Sequence, residues 1–256
     1  MTVKNELLTG IKINNLTIQT NVLCNKTNYA ICSSRNVKYI VIHYTGNTKD
    51  TALNNAKYFQ GSNRQASAHF FVDDTSIYQS VALKDRAWHC GSTTNANNDC
   101  TNYNAIGIEM CTSGNYIVSN KTKENAIALA VYLCKLLGIT ANEVDKYVLR
   151  HYDVGTNKKS CPAQMVKNAN EWKEFKNEIK EAMTVAKVNL QQWGCLIKDI
   201  EHLAYIPMEG TKGETLSRAA GRVKWNGRAP DAICNGEFFN MTTYDYASGV
   251  VSKANG

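Results

Sequence analysis

Short apolar runs mark the predicted strands in the first two thirds of the chain. Residues 37–44 (VKYIVIHY) and 105–110 (AIGIEM) are apolar runs of strand length, which is typical of buried strands. Residues 69–81 (HFFVDDTSIYQSV) place a turn-forming DDTS between two β-prone stretches, and this predicts a hairpin. Residues 146–151 (KYVLRH) predict a further strand.

Helical segments lie between these runs. Residues 48–60 (TKDTALNNAKYFQ) have helical composition, and residues 123–138 (KENAIALAVYLCKLLG) predict a helix that stops at Gly138. A closing helix, with Asn170 as its predicted N-cap, is indicated by apolar residues at helical spacing: Trp172, Phe175, Ile179 and Met183. Strands interleaved with helices predict an α/β fold with a mixed central β-sheet flanked by helices.

A change in glycine use predicts a domain boundary near residues 183–187. The last 72 residues hold 8 of the 16 glycines, and their short apolar runs punctuated by glycine predict strands and turns. We therefore expect an α/β domain over residues 1–184. A small β-rich C-terminal segment over residues 185–256 is expected to follow it.

Charge and hydropathy narrow the class of partner. The formal net charge of +7 favours an anionic partner such as nucleic acid, an acidic membrane or a bacterial cell wall. No dense Lys/Arg run with interleaved aromatic residues supports nucleic acid. No window approaches the ~20 apolar residues of a membrane span, and the opening MTVKNELLTG lacks the apolar core of a secretory signal. We therefore expect synthesis in the cytoplasm.

The nine cysteines are an odd number, so at least one sulfur stays outside any intramolecular disulfide. In a reducing cytosol, a cysteine near histidines is more often a metal ligand or a nucleophile than half of a disulfide. Cys90 and Cys100 flank a short polar loop. Their pairing is expected only if the protein works outside a cell.

Candidate metal ligands lie at the ends of two predicted strands. His43 shares a strand face with Tyr39 and Val41, His151 ends the last strand, and Cys161 follows in a turn-rich loop that can return toward both. Each residue taken alone is more often a packed histidine or a buried thiol. Together, two imidazoles and one thiolate form a three-ligand Zn²⁺ set that leaves the fourth position for water, as in catalytic sites.

Two further residues are candidates for the chemistry. Glu109 lies on the strand face opposite Ile106 and Ile108, beside Gly107, which we expect to leave room for a ligand. A carboxylate there would act as general base near a metal site; the alternative is an ordinary salt-bridged strand glutamate. Lys159 would direct its ammonium at a developing oxyanion, the alternative being a solvated loop lysine.

Five motifs in order resemble one enzyme family. They are YIVIHYTG at 39–46, SAHFFVDD at 67–74, AWHCG at 87–91, IGIEMC at 106–111, and RHYDV at 150–154 followed by KKSCP. The chain resembles the zinc-dependent N-acetylmuramoyl-L-alanine amidases of phage endolysins, bacterial autolysins and peptidoglycan recognition proteins. The resemblance implies hydrolysis of the amide between N-acetylmuramic acid and L-alanine in peptidoglycan.

By position, the resemblance implies a role for each candidate. His43, His151 and Cys161 match the zinc ligands, Glu109 the catalytic acid/base and Lys159 the transition-state stabiliser. Where many relatives have Pro-Gly-Arg-Lys before the last ligand, this chain has residues 155–159 (GTNKK). This departure bears on the loop length and on the aim of Lys159, but not on the match of Cys161.

Three more residues of these motifs are expected near the substrate cleft that the resemblance implies. We interpret His69 and His89 as walls of the substrate pocket, because neither matches a ligand position. Trp88 offers an apolar face for a sugar or a lactyl methyl group, and a core tryptophan is the alternative.

Action on the cell wall without a signal sequence would fit release by lysis or through a holin.

Two other functions of the chain stay open, and one of them would reside in the tail. Residues 231–240 (DAICNGEFFN) weakly resemble a stretch of phosphodiester glycosidase domains, although Glu237 replaces a glycine. The tail could equally be a cell-wall-binding module in which Trp225, Tyr244 and Tyr246 stack on sugars. A non-catalytic peptidoglycan-binding protein is the other alternative. Retention of Cys161 with Glu109 favours the enzyme, because binding-only members of the family typically lack the cysteine ligand.

Overall fold

The computed structural model describes residues 2–3, 7–184, 224–225 and 244–245. Its strands β1–β13 are, in chain order, Thr2–Val3, Lys12–Ile13, Leu16–Gln19, Tyr29–Ala30, Arg35–Asn36, Tyr39–Tyr44, Phe70–Val72, Ile77–Gln79, Arg86–Ala87, Ala105–Met110, Val148–Arg150, Lys224–Trp225 and Tyr244–Asp245. Its α-helices α1–α5 are Ala52–Gln60, Asn120–Leu137, Val144–Tyr147, Ala163–Lys167 and Ala169–Thr184.

Seven of the described strands form one mixed sheet in the order β11-β6-β10-β7-β8-β3-β2. The pairs β11–β6, β6–β10 and β10–β7 are parallel. The pair β7–β8 is antiparallel and forms the predicted hairpin. This confirms the expected α/β class with a mixed central sheet. The parallel strands matter most for function, because their carboxyl ends lie at one edge of the sheet.

Successive side chains of β6 and β10 point to opposite faces of the sheet, and each face has its own apolar cluster. Ile40, Ile42, Ile106 and Ile108 point into the large core formed with α2 and α5. On the other face Tyr39, Val41 and Leu149 pack with Cys90 and Cys100, which are both buried free thiols. The helix α1 packs against β7 and β8 on this second face. Helices therefore flank the sheet on both sides.

The helix boundaries follow from local capping. The side chain of Thr51 accepts a hydrogen bond from the backbone of α1, and Ser119 does the same for α2. Gly138 ends α2 in the left-handed region at φ 72°, as predicted. The predicted cap of α5 was wrong, because Asn170 lies inside the helix. The Oδ1 atom of Asn168 accepts from the backbone N–H of Asn170 at 3.1 Å instead.

The last strand of the sheet is shorter than its pattern predicted. Only Val148–Arg150 is extended, because Tyr147 belongs to α3 and His151 opens a 3-10 turn. Tyr147 packs on the same side of the sheet as Tyr39, and the centroids of the two rings lie 5.5 Å apart. His151 therefore follows the strand directly and does not lie within it.

Two further points concern membrane-spanning helices and the described part of the tail. Within the described ranges no single helix is long and apolar enough to cross a bilayer, and only Asn120–Leu137 with Ala141–Tyr147, bent by 108°, would pass by length and composition. In the tail, β12 and β13 pair antiparallel. The DAICNGEFFN motif and Tyr246 lie outside the described residues, so the predicted β-rich segment and its role stay predictions.

Candidate functional site

The candidate site forms where three parallel strands end. His43 and Glu109 are register partners on β6 and β10, and Arg150 pairs with Ile42, so the following His151 comes to the same edge. Loops at the carboxyl ends of strands are the usual ligand sites of open α/β sheets. The sheet thus brings together residues far apart in sequence.

Three candidate metal ligands converge at this edge. The ligand atoms of His43, His151 and Cys161 all lie within 4.8 Å of one another, and all three residues are buried. The Nδ1 atoms of the two histidines are 3.1 Å apart, and Cys161 Sγ is 3.8 Å from His43 Nδ1. Ligands around one tetrahedral zinc ion would be separated by about 3.3 Å for two nitrogens and about 3.6 Å for nitrogen and sulfur. The donor set and spacing therefore fit one such ion.

Backbone hydrogen bonds return the loop of Cys161 to the strand ends. The N–H of Tyr152 donates to the carbonyl of Cys161 at 3.0 Å, and the N–H of Tyr44 donates to Cys161 Sγ at 3.5 Å. Asn95 Nδ2 donates to the carbonyls of Asp153 and Gly155 at 2.9 and 2.8 Å. The loop is thus hydrogen-bonded to the strand ends through Tyr44 and Tyr152 and to a neighbouring loop through Asn95. These bonds place the thiol of Cys161 beside the two imidazoles.

Burial sets the protonation of the candidate ligands. It lowers the pKa of His43 well below its ordinary value and the pKa of His151 to about 4, and nearby cationic groups including Lys159 lower both further. Both imidazoles are therefore neutral at neutral pH, which is the metal-binding form. Burial raises the pKa of Cys161 to about 12, so a cation at this position would be needed to favour the thiolate.

Glu109 faces the same cleft as a polar group without a partner. Its Oε2 atom is buried and has no hydrogen-bond partner among the described residues. Burial raises the pKa of this carboxyl to about 7, while His89 and Lys159 act in the opposite direction. A carboxyl with these properties is suited to exchanging protons near neutral pH.

The cleft itself has a volume of about 270 Å³. Trp88 and His89 line it and are partly buried, and Lys159 lines it from an exposed loop position. The cleft also contains Glu109 and the three candidate ligands. The structure therefore gathers all but one of the predicted site residues around one space.

The exception is His69, which was predicted to form a pocket wall. It is fully buried and lies behind the cleft, where its Nδ1 accepts from the N–H of Gly107 at 3.1 Å and its Nε2 lies 2.7 Å from Arg35 Nη2. These contacts join His69 to Gly107 on β10 and to Arg35 on β5. The pocket-wall prediction for His69 was therefore wrong.

The prediction for Gly107 also needs correction. A Cβ atom at this position would lie 2.7 Å from Cγ of His89. The space beside Glu109 on β10 is therefore occupied by a protein side chain and does not hold a ligand. The absent side chain of Gly107 is what admits the imidazole of His89.

A neighbouring cavity was missed by the sequence analysis. It has a volume of about 480 Å³, shares Thr45, Phe59 and Glu109 with the cleft, and is otherwise lined by Asn47, Asp50, Asn54, Asn55, Tyr58 and Phe71. The amide side chains of Asn54 and Asn55 on α1 were a signal for this cavity. The sequence analysis takes this segment only as helical.

The fold and site match one known family. Residues 33–164 match the family model described as N-acetylmuramoyl-L-alanine amidase. This match covers the three candidate ligands, Glu109 and Lys159. The chain belongs to this amidase family.

Several similar proteins are named as N-acetylmuramoyl-L-alanine amidases of Bacillus species. The chain is 32% identical over 167 residues to N-acetylmuramoyl-L-alanine amidase CwlL of Bacillus licheniformis, a match that covers 59% of this chain and 44% of the relative. It is 32% identical over 165 residues to the amidase BlyA of Bacillus subtilis, covering 60% and 44%. Its fold resembles a mutant endolysin from Bacillus subtilis at TM-score 0.52 and 28% identity, covering 64% of this chain and 99% of that one. The chain thus spans less than half the length of these curated relatives.

Proposed function

We propose that the protein hydrolyses the amide bond between N-acetylmuramic acid and L-alanine in bacterial peptidoglycan. The observation that carries this proposal is the convergence of His43, His151 and Cys161 with an unpartnered Glu109 in one cleft. Membership of the amidase family supports the same substrate bond. The bacterial cell wall is accordingly the proposed partner and place of action.

The proposed cofactor is Zn²⁺, held by His43 Nδ1, His151 Nδ1 and Cys161 Sγ. Two nitrogens and one sulfur suit zinc, and three protein ligands leave a fourth position open, as in catalytic sites. When bound, zinc would supply Lewis-acid activation of water and of the scissile carbonyl. The buried, neutral imidazoles hold the two nitrogen donors ready at neutral pH.

Glu109 and Lys159 carry the proposed chemistry of the protein itself. The carboxylate of Glu109 takes a proton from the attacking water and passes it to the amine of L-alanine as that amine leaves. The ammonium of Lys159 stabilises the negative charge that develops on the carbonyl oxygen. Trp88 lines the cleft and offers its ring to the sugar or the lactyl methyl group.

The two alternative functions have less support. A non-catalytic binding protein would have no need for a complete donor set beside an unpartnered carboxyl. A glycosidase would depend on the tail motif, which lies outside the described residues. The named relatives are amidases, which supports the hydrolase.

The products of cell-wall digestion test the proposal. Purified peptidoglycan treated with the zinc-loaded protein should gain free L-alanine amino termini and no new reducing sugar ends. His151→Ala, which lacks one ligand, is the matched inactive control and should release neither. New reducing ends without L-alanine termini would overturn the amidase proposal in favour of the glycosidase.

A further inference from the structure

The second ring nitrogen of His43 has a partner that the proposed reaction does not use. His43 Nε2 lies 3.0 Å from Nδ1 of His89, and the two rings meet edge to face with centroids 5.0 Å apart. Histidines that bind a metal commonly donate their other N–H to a carboxylate, a backbone carbonyl or water. Here the partner is another imidazole.

The geometry determines the direction of this hydrogen bond. His43 turns Nδ1 toward His151 and Cys161, so Nδ1 must carry the lone pair for the metal. A neutral imidazole with a free Nδ1 has its proton on Nε2. His43 Nε2–H therefore donates and His89 Nδ1 accepts, which leaves the proton of His89 on Nε2.

His89 is held rigidly enough to act as this acceptor. The backbone N–H groups of His89 and Cys90 both donate to Oδ1 of Asn102, at 2.9 and 2.8 Å. The imidazole itself fits against Gly107, where any Cβ would be 2.7 Å away. Backbone and ring are therefore both fixed, and a fixed acceptor constrains the ring to which it is bonded.

We propose that His89 is a positioning residue, which accepts the Nε2–H of His43 and so holds His43 in the tautomer and orientation that present Nδ1 to the metal. This inference rests on the proposed zinc amidase function and assigns to His89 a role other than a pocket wall. His89 acts through His43, so its first effect is on metal affinity. Substrate binding is affected only secondarily.

Two substitutions separate this role from direct substrate contact. The side-chain oxygen of asparagine reaches about the place of histidine Nδ1, whereas the amide of glutamine reaches about the place of Nε2. His89→Asn should therefore keep the acceptor for His43, and His89→Gln should lose it. His89→Ala removes it outright. Trp88→Phe, which changes a neighbouring residue of the cleft wall, is the matched control for zinc affinity.

Zinc affinity is measured by competition with a chromophoric chelator on the full chain, without peptidoglycan. Loss of a hydrogen bond to a metal ligand typically costs ~10 to 100-fold in affinity, so His89→Ala and His89→Gln should weaken zinc binding by that factor. His89→Asn and Trp88→Phe should remain close to the wild type. Circular dichroism is used to check that each variant is folded. If His89→Ala does not fold, the comparison of His89→Asn with His89→Gln still tests the inference.

The tautomers provide a second, independent readout. Two-bond ¹⁵N–¹H spectra of the zinc-loaded wild type should show both His43 and His89 protonated on Nε2. Unchanged zinc affinity in folded His89→Gln, or a proton on Nδ1 of His89, would overturn the inference. If the wild type binds no zinc, the proposed metal site fails instead, so the two failures can be distinguished.

Discussion

Buried polar atoms without partners concentrate at the cleft. Among the described residues, the buried side-chain atoms that lack a hydrogen-bond partner are Thr45 Oγ1, His89 Nε2 and Glu109 Oε2, and all three residues line the cleft. A buried polar group without a partner destabilises the folded state. Their grouping indicates a site that is completed by water or by substrate.

At the residue scale, Glu109→Gln separates proton transfer from metal binding. The substitution keeps the shape of the side chain and removes its basicity, so activity should fall by ~10² to 10⁴-fold, as expected for loss of general acid/base assistance. Zinc content, measured by elemental analysis, should stay at the wild-type value because Glu109 is not a ligand.

The matched control is Glu124→Gln, which removes an exposed carboxylate on α2 and should leave turnover unchanged. Near wild-type turnover of Glu109→Gln with full zinc occupancy would contradict the proposed role of Glu109. That result would leave the proposed metal site standing.

At the element scale, α5 covers part of the large core. Trp172, Phe175 and Ile179 bury one face of this helix in that core, where α5 packs against α2. Its outer edge is joined to α3 by Asp145, whose carboxylate lies 2.7 Å from Lys176 Nζ and 2.6 Å from Lys180 Nζ. Apolar burial supplies most of the stability, because exposed ion pairs contribute little.

We expect a pH-dependent stability change on substitution of Asp145. Its hydrogen bonds to Lys176 and Lys180 lower the pKa of Asp145 below its ordinary value of 3.8, so the stabilisation is present above that value and lost as pH falls through the folded-state pKa. Asp145→Asn should lower the free energy of unfolding at neutral pH by up to about 1 kcal/mol.

Urea unfolding followed by circular dichroism measures this difference. It should shrink as the pH is lowered toward about 3, where Asp145 becomes protonated in the unfolded chain. Glu181→Gln, which removes a carboxylate from α5 itself, is the control and should show the smaller effect at neutral pH. Equal stability of wild type and Asp145→Asn at neutral pH would show that the two ion pairs contribute nothing.

At the scale of the whole molecule, the described core extends beyond the amidase match at both ends. The family match spans residues 33–164, and the described core extends to the end of α5 at Thr184. A domain of residues 1–184 with a separate tail therefore stays our prediction for the organisation of the chain.

Truncation tests this organisation. The fragment 1–184 should unfold cooperatively and cleave a soluble muropeptide, because it retains the sheet, both helical layers and the cleft. It should lose more in binding to intact cells than in turnover if the tail binds the wall. A fragment that ends at residue 167 lacks α5 and should not fold. An insoluble 1–184 fragment would refute the boundary.

Local sequence patterns were sufficient to predict five of the seven strands of the mixed sheet, all but β2 and β3, together with the main helices. Alternation and helical spacing depend only on neighbouring residues, so the runs at 39–44 and 105–110 indicate buried strands without knowledge of their partners. Identification of the ligands needed motif resemblance in addition. A lone histidine or cysteine has no local signature of metal binding.

The tertiary structure alone decided what depends on distant contacts. Strand register brings His43 beside Glu109, and the absent Cβ of Gly107 gives its space to His89. Burial places His69 behind the cleft, although its motif resembles that of a wall residue. Which nitrogen of His43 faces the other ligands is likewise set by residues 108 and 118 positions away. These features arise from packing between segments remote in sequence, for which no local periodicity exists.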